Sequence, residues 1–297
     1  MKTRRARSTV FVLLASIIWG MTFVPQKLAG LHMGAFTYNG VRFALGSLSL
    51  LPVIYIFEKP ASRDQKRLTL KAGLLGGAVL FAASNLQQLG IILSKSPSSA
   101  GEAGFITGLY TVFTPILGLA FGRKTNTLTW IAAVLAFGGL SLISIGSEGI
   151  SSIQVSDGYL VLGAVFWALH ILVIDRFVQD VSPVRFTAVQ FAVNAVLSTA
   201  AAFAFEQVSA RGIWDGAVPI LFGGIIASGA AYTLQILGQR GVEPSRAAII
   251  FSLEALFAAL SEAVLLGEIM TPRKYAGGAV IFIGIILSQV KPKRGKA

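Results

Sequence analysis

Apolar residues run down this chain in blocks of about twenty, separated by short polar joins. At about 1.5 Å of rise per residue, such a block crosses the hydrocarbon of a bilayer. The pattern predicts ten helices, near residues 10–29, 35–57, 71–93, 98–121, 127–146, 157–177, 184–205, 215–238, 245–266 and 273–290. Pro60, Pro97, Pro183, Pro244 and Pro272 each fall in or beside a join, where proline marks turns and helix starts. The joins are short, so the expectation is an all-α membrane protein whose ten transmembrane helices form one bundle.

Composition agrees with the pattern. Of 297 residues, 54% are apolar and 13% charged, about half the charged share of a soluble domain. No cysteine is present, which removes disulfides and thiolate chemistry. The net charge of +12 would suit nucleic acid, but no basic face or aromatic-interleaved groove accompanies it. Its placement follows a membrane instead. With alternate joins assigned to opposite faces, one face collects 19 Lys and Arg and the other 4. The positive-inside rule then puts both termini in the cytoplasm. The opening "MKTRRAR" reads as an uncleaved cytoplasmic tail.

The two halves can be laid on each other. An offset of 148 puts Trp19 on Trp167, Phe43-Ala44 on Phe191-Ala192, and "LQQLG" (86–90) on "LQILG" (234–238). After the third join the offset is 145, and Gly122 meets Gly267 while Gly139 meets Gly284. The expected units are residues 1–146 and 147–297, each of five spans. Because five is odd, the units must cross the membrane in opposite senses. Inverted repeats of this kind build transporters with a site near the midplane.

Trp19-Gly20, Arg42-Phe43-Ala44, "PSRAAIIFSLEALFAALSEAVLLGE" (244–268) and "GGAVIFIGIIL" (277–287) carry a resemblance. With the five-plus-five layout, they resemble the drug/metabolite transporter superfamily, specifically proteins with two EamA domains. The resemblance implies export of small metabolites, often amino acids or amphiphilic compounds, through a cavity lined by both repeats, with proton coupling or exchange in many members. It also matches Glu254 to the family's glutamate in span 9. Ala255 stands where members usually carry proline.

Ionisable residues within spans are rare and mark pathways or partners. Glu254 lies about nine residues into span 9, roughly 14 Å along the helix, near the midplane, where a neutral acid can carry a proton. Arg42 and Glu262 lie at similar depths near the outer ends of spans 2 and 9, and are expected either to pair or to hold an anionic group. Ser99 and Glu102 fit a capping box, with a role at the outer mouth as the alternative. His170 is either a titratable site or a hydrogen-bonded packing residue. Lys27 and Asp175 sit near span ends and can snorkel. Trp19, Trp167, Tyr110 and Tyr232 are expected as cavity aromatics or packing. Gln87 and Gln235 occupy matching positions as substrate ligands or interhelical glue.

The expected function is a secondary transporter exporting small organic solutes by alternating access, coupled to protons through Glu254. The alternative is an exchanger or uptake permease without proton coupling. An enzyme is not expected, because clustered nucleophiles, bases or metal ligands are missing from the sequence. No G-x-x-x-x-G-K-[ST] run is present, so no nucleotide-driven step, metal or cofactor is expected. The expected partners are a small-molecule substrate, protons and the lipid bilayer, without nucleic acid.

Overall fold

The computed structural model describes residues 2–58, 60–96, 99–123, 125–144, 154–267 and 272–289. Pro97, Lys59, Lys124 and the basic tail from residue 290 onward lie outside them. Every regular element among the described residues is a helix, without strands. In chain order the helices are α1 (Lys2–Ala29), α2 (Ala35–Phe57), α3 (Arg63–Leu93), α4 (Ser99–Thr107), α5 (Tyr110–Ala120), α6 (Thr127–Ser144), α7 (Val155–Phe177), α8 (Pro183–Phe205), α9 (Ala210–Asp215) and α10 (Ala217–Leu221). A π-helical segment (Phe222–Tyr232) follows, then α11 (Thr233–Gln239), α12 (Pro244–Phe251), α13 (Leu253–Leu266) and α14 (Pro272–Gln289). Eight helices, counting α4–α5, α10–α11 and α12–α13 as continuous pieces, are long and apolar enough to cross a membrane. Shorter apolar stretches occupy 127–139 and 275–284. The protein is a multi-pass membrane protein.

Three details depart from the sequence pattern. The basic join after α2 is shorter than expected, because α3 begins at Arg63. There the Ser62 hydroxyl accepts the Gln65 amide at 3.2 Å and Gln65 Oε1 accepts the Ser62 amide at 3.0 Å, a reciprocal cap that starts the helix early. Spans 4 and 9 are each interrupted, at Gly108–Leu109 and at Ser252. Span 8 widens into the π segment, where Gly223, Gly224, Ala227, Ser228, Gly229 and Ala231 are buried and leave room for neighbouring helices.

The helices pack in a reciprocal arrangement. α2 lies along α8, and α3 along α7 and α8, while α1 lies along the α10–α11 stretch and along α13. The α4–α5 pair touches α7, and α6 packs on α14. Small residues set these distances. At Gly139 a Cβ would stand 2.6 Å from the Gly277 carbonyl and 2.8 Å from Ile281 Cγ1. At Gly284 a Cβ would stand 3.0 Å from the Ala132 carbonyl. Among the described residues, positive φ occurs at Gly122 (70°) and Gly267 (75°), each just after an apolar helix, where only glycine adopts that conformation without strain. Large apolar side chains such as Val134, Val196 and Phe203 point outward, as a lipid-facing surface requires.

Candidate functional site

Where the interrupted helices meet α1, α2, α3, α7 and the π segment, a pocket opens within the bundle with about 510 Å³ of atom-free space. Eight of the expected residues line it, among them Trp19, Arg42, Gln87, Tyr110, Gln235 and Glu254. The other two are Trp167 and Tyr232.

Aromatic rings form one wall. Trp19 meets Tyr232 edge-on at 4.8 Å and Phe251 at 5.2 Å, while Trp167 meets Tyr232 at 6.3 Å. The indoles are fixed by their N–H groups. Trp19 Nε1 donates to the Ala227 carbonyl of the π segment at 3.1 Å, and Trp167 Nε1 donates to Gln87 Oε1 at 2.7 Å. Gln87 Nε2 in turn donates to Gln26 Oε1 at 3.1 Å. Trp19 and Trp167, 148 residues apart, are thus each tied to a helix from the other half of the chain.

The residues beside the helix breaks face the pocket: Thr107 and Tyr110 on one side, Phe251 and Glu254 on the other. Glu254 is 5% exposed, and the Tyr110 hydroxyl lies beside its carboxyl without meeting hydrogen-bond geometry. Thr107 Oγ1, Tyr110 Oη, Gln235 Oε1 and Glu254 Oε1 have no hydrogen-bond partner among the described residues. Four such atoms converging on one pocket is unusual, because buried polar atoms are nearly always paired.

Glu254 is brought to this wall by a close helix contact. A Cβ at Gly20 would stand 2.4 Å from Phe257 Cβ and 2.5 Å from the Glu254 carbonyl. The bare glycine lets α1 press on α13 here. Arg42 lies on the α2 side, 4% exposed, with Nε donating to Asn39 Oδ1 at 2.8 Å.

Three expected residues stand outside the lining. Glu262 is 1% exposed, accepts the Gly101 amide at 3.0 Å and pairs with Lys27 at 3.6 Å. No ion pair joins it to Arg42 among the described residues, because Arg42 has turned to Asn39. Glu102 accepts the Ser96 hydroxyl at 2.7 Å, so it reaches back past Ser99, which is already the first helical residue. His170 is buried, with Nε2 on Gln190 Oε1 at 2.9 Å and its ring edge-on to Trp167. Asp175 is ion-paired with Arg123.

The pocket also holds Thr22, Phe23 and Gln26, which the sequence reading passed over. With Trp19 they recur at three, four and seven residues, one face of α1, so the signal was present in the spacing. Thr107 and Phe251 carried no such signal, because they reach the pocket through the helix breaks.

An all-helical, multi-pass bundle around a central polar and aromatic pocket is the architecture of a membrane transporter. The EamA-like transporter family model matches residues 7–145 and 155–289, and the chain belongs to that family, within the drug/metabolite transporter superfamily. An uncharacterized transporter of Archaeoglobus fulgidus is 27% identical over 97% of this chain and 87% of its own. Transporter YwfM of Bacillus subtilis, also uncharacterized, is 26% identical over 97% and 95%. The threonine/homoserine exporter RhtA of Escherichia coli is 25% identical over 92% and 87%. One crystal structure shares the fold with a TM-score of 0.77, covering 95% of this chain and 97% of its own at 16% identity.

Proposed function

We propose that this transporter exports small organic solutes across a cell membrane by alternating access, with both termini in the cytoplasm. Ten spans form two inverted units, residues 1–146 and 147–297, and Glu254 couples flux to protons.

The matched helix breaks carry this reading. The breaks at Gly108–Leu109 and at Ser252 fall within one or two residues of each other under the 145-residue shift, and the residues flanking each face the same pocket. Paired discontinuous helices at corresponding places are the mark of a midplane binding site between inverted repeats. Packing supports it further. The α1 contact with the span 8 stretch has its counterpart in α7 on α3, and α1 on α13 has its counterpart in α7 on α4–α5. Gly139 sits on Gly277 and Ile281, while Gly284 sits on Ala132 and Ala136, and these positions exchange under the 145-residue shift. The two positive-φ glycines are related by the same shift. Such halves have two packings of similar energy, one open to each side.

Glu254 suits proton coupling because a carboxyl group in a desolvated pocket is stable only when neutral or paired. Opening to each compartment in turn gives it water with which to exchange its proton. Reconstitution in liposomes with a metabolite panel tests the proposal. Saturable counterflow is expected, with flux driven by a pH gradient. In Glu254→Gln the gradient-driven flux collapses while exchange partly survives. Equal gradient-driven flux in both proteins removes Glu254 from coupling, and flux without saturation or counterflow sinks alternating access.

A further inference from the structure

We propose that the pocket takes its solute by an anionic group, a carboxylate or similar singly charged oxyanion, gripped end-on by Arg42 and oriented through Asn39. The inference rests on the pocket being the solute site.

A guanidinium buried in a membrane bundle needs a counter-charge or dense hydrogen bonding. Arg42 has neither in full. Nε donates to Asn39, and the Tyr38 and Phe43 rings lie 5.1 Å and 4.5 Å from its Cζ. No carboxylate lies within ion-pair distance of it among the described residues, and the polar groups beside it, Asn39 and the Tyr38 hydroxyl, are uncharged. The side chain lines the pocket. That leaves a planar fork of N–H donors available, the geometry that holds a carboxylate by two parallel bonds.

The fork is held in place from behind. Asn39 Nδ2 donates to the Ser84 carbonyl at 3.1 Å and to Asn85 Oδ1 at 2.9 Å. Asn85 Nδ2 donates to Ser198 Oγ at 2.9 Å, Ser198 Oγ donates to Asn194 Oδ1 at 2.8 Å, and Asn194 Nδ2 returns to Ser84 Oγ at 3.0 Å. This buried circuit across α2, α3 and α8 occupies the amide nitrogen of Asn39 and leaves its oxygen for Arg42. Asn39 is therefore a positioning residue. Gly223 keeps the far side clear, since a Cβ there would stand 2.5 Å from Tyr38 Oη and 3.4 Å from Arg42 Cδ.

Charge count narrows the ligand. Arg42 is the one cation among the lining residues, and Glu254 lines the same pocket without pairing to it. One positive charge balances a carboxylate and under-compensates a phosphate dianion. The Trp19, Trp167 and Tyr232 faces accommodate the remainder of the solute.

The test uses the purified full-length protein in detergent and a panel of small carboxylates, each paired with its own primary amide. Binding is read by quenching of tryptophan fluorescence and by thermal shift. At least one acid is expected to bind about tenfold or more tightly than its amide, the discrimination of a charged, bidentate contact. Arg42→Gln abolishes the acid-to-amide ratio, and Arg42→Lys, which keeps the charge but loses the fork, retains part of it. Asn39→Ala weakens the acid about fivefold and leaves the amide unchanged, the loss of one oriented hydrogen bond.

If Arg42→Gln fails to fold, acid against amide in the unaltered protein still decides. Amides binding as tightly as acids, no acid binding up to its solubility limit, or an Arg42→Gln protein that keeps the ratio overturns the proposal. These are equilibrium measurements without a gradient, so their failure leaves alternating access standing. A failure of counterflow, conversely, does not move the ratio.

Discussion

Glu58 and Glu206, 148 residues apart, each close the helix to which the other belongs. Glu206, at the C-terminus of α8, accepts the amides of Phe36 and Thr37 at 2.8 Å and the Thr37 hydroxyl at 2.7 Å, at the start of α2. Glu58, at the C-terminus of α2, takes the Ser182 hydroxyl and pairs with Arg185 Nε at 2.9 Å, at the start of α8. The helices are therefore antiparallel. Each N-terminus, with its free amides and positive dipole end, meets an acid from the opposite half.

Removal of either acid leaves amides or a cation without their partner. Glu206→Ala and Glu58→Ala are each expected to cost about 1–3 kcal/mol. The two sites lie at opposite ends of 23-residue α2, about 34 Å apart. Their effects should therefore add within about 0.5 kcal/mol. Chemical denaturation of the single and double variants in detergent measures this, and a large coupling term would show that the ends communicate.

Helix positions were legible because apolar length and proline punctuation are local properties. The outer limits of most helices fall within a residue or two of the pattern, from α2 (Ala35–Phe57) to α8 (Pro183–Phe205). The breaks at Gly108 and Ser252 and the π segment were not legible, since packing across the bundle decides them. The same holds for partners. Depth along a helix says how far Glu254 lies from the helix ends, but rotation about the helix axis is fixed by neighbours. Arg42 turned to Asn39 and Glu262 to Lys27, although their similar depths had pointed to a mutual pair.

Gly20 sets the α1–α13 distance beside Glu254. Its replacement by Val is expected to force the helices apart, because even the first carbon would overlap Phe257 Cβ and the Glu254 carbonyl. Backbone cannot yield as a side chain does, so the destabilisation should be about 1–3 kcal/mol or more. Flux should fall together with thermal stability. A Gly20→Val protein with normal stability and flux would mean that this contact is loose.

Trp19 and Trp167 lie 148 residues apart and are bonded differently, and hydrogen exchange separates their roles. Trp19→Phe strips the donor from the Ala227 carbonyl within the π segment. Exchange over residues 222–232 is expected to accelerate about fivefold, the effect of about 1 kcal/mol of lost hydrogen bonding. Trp167→Phe releases Gln87 instead and leaves that segment unchanged. Equal acceleration by both would assign the effect to general loosening of the aromatic wall.

Two ion pairs tie α1 and α7 to helices packed against them. Lys27–Glu262 joins α1 to α13, and Arg123–Asp175 joins the end of α5 to α7. Lys27 and Asp175 are 148 residues apart and opposite in charge, while their partners Glu262 and Arg123 are 139 apart, so under the proposed repeat the same helices are joined with the charges reversed and the partner six residues out of register. In the proposed orientation Lys27–Glu262 lies at the outer end and Arg123–Asp175 at the cytoplasmic end. In the alternating access proposed above, opening either end breaks its bridge, so losing one bridge favours the state open on that side. The chain contains no cysteine, so Thr22→Cys gives a single reporter in the pocket. Labelling by a membrane-impermeant maleimide from outside should rise about five- to tenfold with Glu262→Gln, a shift of about 1–1.4 kcal/mol between two states. Asp175→Asn should lower it. Combining the two should return labelling towards the starting rate, because both states are then relieved alike. Labelling that rises with both single variants would show that the bridges hold the bundle shut on all sides without selecting a direction.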